Sequence, residues 1–214
     1  LIKNFIFSST AAVYKDGQYK VNENSIIKPQ SVYGKTKIQG EKLIKSFCKK
    51  NKINYGILRY FNIAGSSPSG KIGLLNKSDN LFKNYSKQIM KKKPTLKIYG
   101  GDYNTKDGSC IRDFIHVSDI AEIHYKVLNQ IDKTKKSKVL NCGYNKGNSV
   151  LDVAKEFKRQ SSKKVKILFI KRRKGDLVKI IASNKKLMKF IKWRPKYNKL
   201  SKIVQSCLNW EKRQ

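Results

Sequence analysis

Apolar positions fall in short blocks separated by polar, glycine-bearing and proline-bearing punctuation. "LIKNFIFSS" at 1–9 is a run rich in Ile and Phe, which predicts a strand buried on both faces of a parallel sheet. "KPQ" at 28–30 breaks the chain, and Ser31 is an N-cap candidate for a helix reaching about Lys50. On that helix Tyr33, Gly40, Leu43, Ile44 and Phe47 share one side, with Lys37 near its edge. "INYGILRYFNIAG" predicts the next strand, and strand–helix–strand is the unit of an α/β fold.

Past residue 66 the texture changes. "SSPSGKIG" reads as a loop, "NLFKNYSKQIMKKK" as a helix ended by Pro94, and "LKIYGGDYNTKDGS" as a short strand followed by a turn-rich loop. "HVSDIAEIHYKVLNQI" places Ile120, Ile123, Val127 and Ile131 at helical spacing. Then come a strand at "KVLNCG", a Ser149-capped helix at "SVLDVAKEF", a strand at "KVKILFIK" and a final helix ending at "WEKRQ". No internal repeat is visible.

Composition narrows the class. The 214 residues suffice for one large or two small domains, and 39% hydrophobic content fits a folded protein. No apolar run approaches a membrane span and no leader pattern precedes the first strand, so a cytoplasmic protein is expected. Cys48, Cys110, Cys142 and Cys207 are far apart and read as reduced thiols, and the two histidines have no metal-ligand neighbourhood. The net charge of +35 could mark a nucleic-acid binder. Its cations are mainly Lys, spread evenly and without a recognition motif, so nucleic acid is not the expected partner.

Tyr33 and Lys37 form a Tyr-x-x-x-Lys spacing that arises easily by chance in so lysine-rich a chain. No glycine-rich dinucleotide turn accompanies it. "FIFSSTAAVY" precedes the pair, however, and "LRYFNIAG", "GGDYNTKDGSCIRDFIHVSDIA", "LNCGYNKGNSVLDV" and "RRKGDL" follow in order. In that order the chain resembles the UDP-glucose 4-epimerases of the extended short-chain dehydrogenase family, from Leu1 to about Arg213. The resemblance implies the C-terminal part of a Rossmann-type parallel sheet (1–65) with a smaller α/β substrate-binding domain (66–214), of which about 110–132 packs back on the first part. The family's N-terminal third, with its glycine-rich turn, has no counterpart in these residues, so the sequence is expected to be cut rather than started at Leu1.

The resemblance also implies the chemistry. A base removes the C4 hydroxyl proton of a UDP-hexose while hydride passes to NAD, and hydride returns to the other face of the 4-keto sugar. A tyrosine can be that base only if its phenol ionises well below about 10, which a lysine ammonium one helical turn away favours. Tyr33 is then the base, Lys37 its partner and ribose contact, and Thr10 the hydroxyl bridging sugar and tyrosine. Ser8 and Phe61 match further NAD-side contacts. Asn62, Asn80, Leu81, Lys97, Ile98, Tyr99 and Asp176 match UDP-sugar contacts, Arg112 and Arg173 a diphosphate clamp, and Ile180 a position beside the sugar's 2-substituent. A related UDP-sugar (an N-acetylhexosamine or pentose) is the alternative substrate, and a non-catalytic remnant or basic nucleic-acid binder the alternative class. A homodimer is expected by resemblance alone.

Overall fold

The computed structural model describes residues 2–75, 80–173 and 175–214; Leu1, where the first strand was expected to open, lies outside them. Strand β1 (Asn4–Thr10) runs into a 3-10 turn at Ala11–Val13, followed by β2 (Lys20–Val21) and helix α1 (Val32–Lys50). Ser31 caps α1, its hydroxyl accepting from the Gly34 amide at 3.0 Å. The next block splits at Phe61 into β3 (Asn54–Tyr60) and β4 (Asn62–Ala64). Helix α2 (Leu81–Met90), β5 (Thr95–Tyr99), β6 (Ile111–Arg112), β7 (Phe114–His116) and helix α3 (Val117–Thr134) follow. The chain ends with β8 (Lys138–Cys142), β9 (Asn148–Ser149), α4 (Val150–Arg159), β10 (Lys166–Ile170), β11 (Lys179–Ala182), α5 (Lys185–Ile191) and α6 (Leu200–Glu211).

β1, β3 and β8 form a parallel sheet with β3 in the middle, which helices must cover because parallel strands need crossovers. Ile120, Ile123, Val127 and Ile131 of α3 fill its core together with Leu58, Leu140 and Trp193. The segment returning to this sheet is thus longer than 110–132: β8 pairs along β3, and Leu187 of α5 joins the same core. A second core gathers Phe82, Tyr85, Leu96, Ile98, Phe157 and Leu208 around the β5–β10 pair. β4 pairs with β7, and β2, β11, β6 and β9 form a four-stranded sheet, so short strands stitch the two parts together.

Two expectations fail instructively. β1 is the outer strand of its sheet in the described residues, and Phe5 stays 42% exposed rather than buried on both faces. On α1 the expected apolar side is only partly covered: Gly40 abuts the Phe7 ring, whereas Leu43 is 71% and Phe47 61% exposed. The helix buries Gly34, Glu41 and Cys48, spaced by seven. Glu41 is drawn inward by Arg59 of β3, whose Nε and Nη2 bond its two carboxylate oxygens at 2.9 and 2.7 Å. Ser9 Oγ donates to Glu41 at 2.6 Å, and Tyr14 Oη accepts from Arg59 and donates to Asn141. Burial opposes charge on Glu41, yet the Arg59 and Ser9 hydrogen bonds hold its carboxyl below the usual range.

Glu41→Ala leaves a buried guanidinium without its counter-charge and is expected to cost about 3–5 kcal/mol. The double change Glu41→Leu with Arg59→Met is expected to cost less than Glu41→Ala alone. Urea unfolding of the two variants and the wild type checks both; equal losses from the single and double changes would contradict the charge-pair account.

Candidate functional site

The parallel strands end at their carboxyl edge against a cavity of about 470 Å³. Thr10, the last residue of β1, and Tyr33, in the first turn of α1, both line it. Helix α1 can press this close because Gly34 has no side chain; a Cβ there would stand 2.4 Å from the Ala12 carbonyl oxygen. Tyr33 is 55% exposed. Lys37, one turn on, donates from Nζ to the Ser8 carbonyl at 2.9 Å, with its ammonium 5.7 Å from the Tyr33 ring centroid and 5.2 Å from that of Phe7.

Phe61, Asn62, Asn80, Leu81, Lys97, Tyr99, Arg112, Arg173 and Asp176 line the same cavity. The Asn80 side chain caps α2, accepting from the Phe82 and Lys83 amides. Arg173 lies over the Tyr99 ring at 3.7 Å, and Arg112 Nη2 is 3.8 Å from Asp176 Oδ1. The structure leaves four expected residues outside the lining: Ile98, Ile180, Ser8 and Lys37. Strand alternation turns Ile98 away from its neighbours Lys97 and Tyr99 into the second core. Ile180 packs against Val21 and Phe61, behind the wall rather than on it. Ser8 and Lys37 stand just beyond the cavity, joined to each other as described.

Sequence reasoning passed over Tyr60, Cys110, Phe114 and Val150, which also line the cavity. Tyr60 sat inside the quoted "LRYFN", and its register opposite Thr10 in adjacent parallel strands could have signalled it. The block "DGSCIRDFIH" both lines the cavity, through Cys110, Arg112 and Phe114, and braces its wall. Gly108 has φ +75°, and a Cβ there would stand 2.0 Å from the Gly101 carbonyl oxygen, so the turn needs glycine. Asp107 accepts from Ser109 and from the Ser149 hydroxyl, tying this block to "GNS", and β6 pairs antiparallel with β9. The result fixes the strand that presents Arg112.

Asp113 and His116 are fully buried beside that strand. Asp113 accepts from the amides of Tyr144, Asn145 and Ala182, yet burial pushes its carboxyl up to about 6. Burial pulls the His116 imidazole down to about 4. Its Nδ1 accepts from the Ser118 amide, so Nε2 carries the proton that reaches Ser206 Oγ at 3.1 Å. Among the described residues no group of three or more His, Cys, Asp or Glu could hold a metal, and no helix is long and apolar enough to cross a membrane. All four cysteines are buried and free.

Residues 2–143 match the model of the NAD dependent epimerase/dehydratase family. UDP-glucose 4-epimerase of Azospirillum brasilense is 36% identical over 213 residues, covering 99% of this chain and 61% of that protein. UDP-arabinose 4-epimerase 1 of Arabidopsis thaliana is 32% identical, covering 99% of this chain and 52% of its own length. The crystal structure of UDP-glucose-4-epimerase from Stenotrophomonas maltophila, with bound NAD and formylated UDP-arabinopyranose, superposes with a TM-score of 0.93 at 28% identity, over 99% of this chain and 64% of that one. The chain therefore spans about three fifths of the first of these relatives.

The buried pair sets opposing pH slopes. His116 has a folded value near 4 against 6.5, so the unfolded chain binds its proton first and stability falls as pH drops from 6.5 toward 4. Asp113 is raised from 3.8 to about 6, so the native state holds its proton longer and stability falls as pH rises through that window. Each corresponds to about 3 kcal/mol. Urea unfolding between pH 4 and 7 is expected to show a steeper rise with pH in Asp113→Asn than in the wild type, and a shallower one in His116→Gln.

Proposed function

The chain belongs to the NAD-dependent epimerase/dehydratase family, and from that premise we propose that it serves a UDP-sugar 4-epimerase, interconverting UDP-glucose and UDP-galactose. One observation carries the reading: a single cavity has Thr10 and Tyr33 on its wall together with Arg112, Arg173 and Asp176. The first pair suits proton transfer at a sugar hydroxyl, and the second set suits a diphosphate and a ribose. A relative named for UDP-arabinose keeps the pentose alternative in view.

The donor set fits NAD. Lys37 commits one ammonium N–H to the Ser8 carbonyl, leaving two for ribose hydroxyls, and Tyr33 and Ser8 are exposed beside it. Lys37, Tyr33, Ser8 and Phe61 would hold the nicotinamide riboside end. When bound, NAD supplies a reversible hydride acceptor for the carbon bearing the hydroxyl. The protein's own part is proton transfer and orientation. Tyr33 removes the C4 hydroxyl proton, Thr10 bridges the two oxygens, and the Lys37 ammonium favours the charged phenolate. Arg112 and Arg173 hold the diphosphate, and Asp176 accepts from the uridine ribose, while Asn62, Asn80, Leu81, Lys97 and Tyr99 line the sugar and nucleoside path. Anchoring the nucleotide while leaving the hexose few fixed contacts lets the 4-keto sugar turn its other face for hydride return. We also read α1, with Leu43 and Phe47 exposed, as half of a homodimer contact, which light scattering would detect as a doubled mass.

In the full-length gene product Tyr33→Phe is expected to lower turnover of UDP-glucose by about 10²–10⁴-fold with UDP binding nearly intact. Arg112→Ala or Arg173→Ala is expected to weaken UDP binding by about ten- to a hundredfold. Wild-type turnover in Tyr33→Phe would remove the base assignment. Faster turnover of UDP-arabinose or a UDP-N-acetylhexosamine than of UDP-glucose would move the substrate to that sugar.

A further inference from the structure

Beside the candidate base runs a polar chain that this reading leaves unused. His124 Nδ1, on α3, lies 2.8 Å from the carbonyl oxygen of Ile120. A carbonyl only accepts, so Nδ1 carries the ring proton and Nε2 of the neutral ring is a bare acceptor. Tyr60 Oη is hydrogen-bonded to that Nε2 and must donate to it. Tyr60 has a single proton, so Ser8 Oγ, 2.7 Å away, is left to donate to the Tyr60 oxygen. The carbonyl of the same serine receives Lys37 Nζ. Three hydrogen bonds thus link α3, the ends of β3 and β1, and α1, with every proton assigned.

Tyr60 lines the same cavity as Thr10 and Tyr33. Burial pushes the Tyr60 phenol up to about 12, so it stays a neutral donor. The titratable groups around it are His124 on α3, Tyr33 on α1, Lys37 beyond Ser8, and the buried Cys142 on β8, whose thiol burial pushes up.

We propose that Tyr60 and His124 are positioning residues for the candidate base: they commit Tyr60's only proton away from Tyr33 and steady the Ser8 segment on which the Lys37 ammonium docks. A cavity phenol with an uncommitted proton would donate to a phenolate at Tyr33 and weaken it as a base. This inference rests on Tyr33 being the base, but the hydrogen-bond directions can be read without turnover.

The test uses the full-length gene product. In ¹⁵N spectra of the imidazoles, His124 is expected as the Nδ1–H tautomer with Nε2 accepting, and Tyr60→Phe is expected to shift Nε2 toward a free acceptor. In NAD-dependent turnover, Tyr60→Phe is expected to lower kcat about tenfold and move the acid limb of its pH profile upward, with KM for the nucleotide sugar within about threefold. His124→Gln, whose amide oxygen can still accept from Tyr60, is expected to retain most of kcat, while His124→Leu, which frees the Tyr60 proton to donate to the Tyr33 phenolate, is expected to lower kcat and move the acid limb downward. An Nε2–H tautomer at His124 overturns the proposal. So does a folded Tyr60→Phe with wild-type kcat and acid limb. Full turnover in Tyr33→Phe would instead withdraw the base assignment, leaving the tautomer result to judge the hydrogen-bond chain alone.

Discussion

The Glu41–Arg59 ion pair sets where everything else in the candidate site can be. Its two members lie on the helix and the central strand that meet behind the cavity, and both are almost fully buried. Desolvating two charges is expensive, so such a pair adds little net stability over an apolar one. What it supplies is register. A helix with Leu43 and Phe47 on its outer face has no apolar stripe strong enough to fix its rotation. A bidentate contact at Glu41, joined by Ser9, does fix it. Lys37 lies one turn back and Tyr33 two, each turned further toward the exposed side of the helix, so locking Glu41 also fixes where both project. Ser9 is the immediate neighbour of Thr10, which brings β1 into the same constraint.

On the opposite wall the organising force is hydrogen bonding to carboxylates, of which Asp113 and Asp119 are fully buried and Asp107 half-buried. Asp107 binds Ser109 and Ser149, Asp113 gathers three backbone amides from two other segments, and Asp119 receives the Lys196 and Tyr197 amides along with the Tyr144 hydroxyl. Each satisfies donors that loops would otherwise bury unpaired. Together they place the two-residue strand carrying Arg112 between β11 and β9. A strand that short has too few ladder bonds to hold itself, so the carboxylates substitute for sheet.

This explains what could and could not be read from the residues. α3 was legible because Ile120, Ile123, Val127 and Ile131 repeat with helical period and all meet one core. Ser31 and Ser149 were legible because capping is a local event. The buried face of α1 was not, because a lone glutamate reads as solvent-facing until Arg59, eighteen residues on, is placed opposite it. Ile98 and Ile180 carried family contacts by position, but pleat and packing turn their side chains into cores. Tyr60 lay inside a quoted motif yet acquires its place only through Ser8, His124 and Tyr33, which come from three other elements. Short-range pattern reveals elements and caps, whereas a site wall is made of coincidences between distant segments.

The charge can be placed in the same frame. The chain holds 49 basic and 14 acidic residues. Every described carboxylate already accepts a hydrogen bond or an ion pair from within the chain, from Glu23 at the Asn141 amide to Glu211 at Lys83. The acids are thus largely consumed by folding, and the excess lysines are left to set the external field. For a dianionic nucleotide sugar that field is attractive from any approach, and at the cavity it is concentrated by Arg112, Arg173 and Lys97. Long-range attraction of this kind is screened within about 8–10 Å at ordinary ionic strength, so it speeds encounter without choosing the ligand. On the proposed reading, selectivity comes from short-range groups that salt does not screen: the Arg173–Tyr99 stack, the Arg112–Asp176 contact, and Tyr33 and Thr10 on the cavity wall.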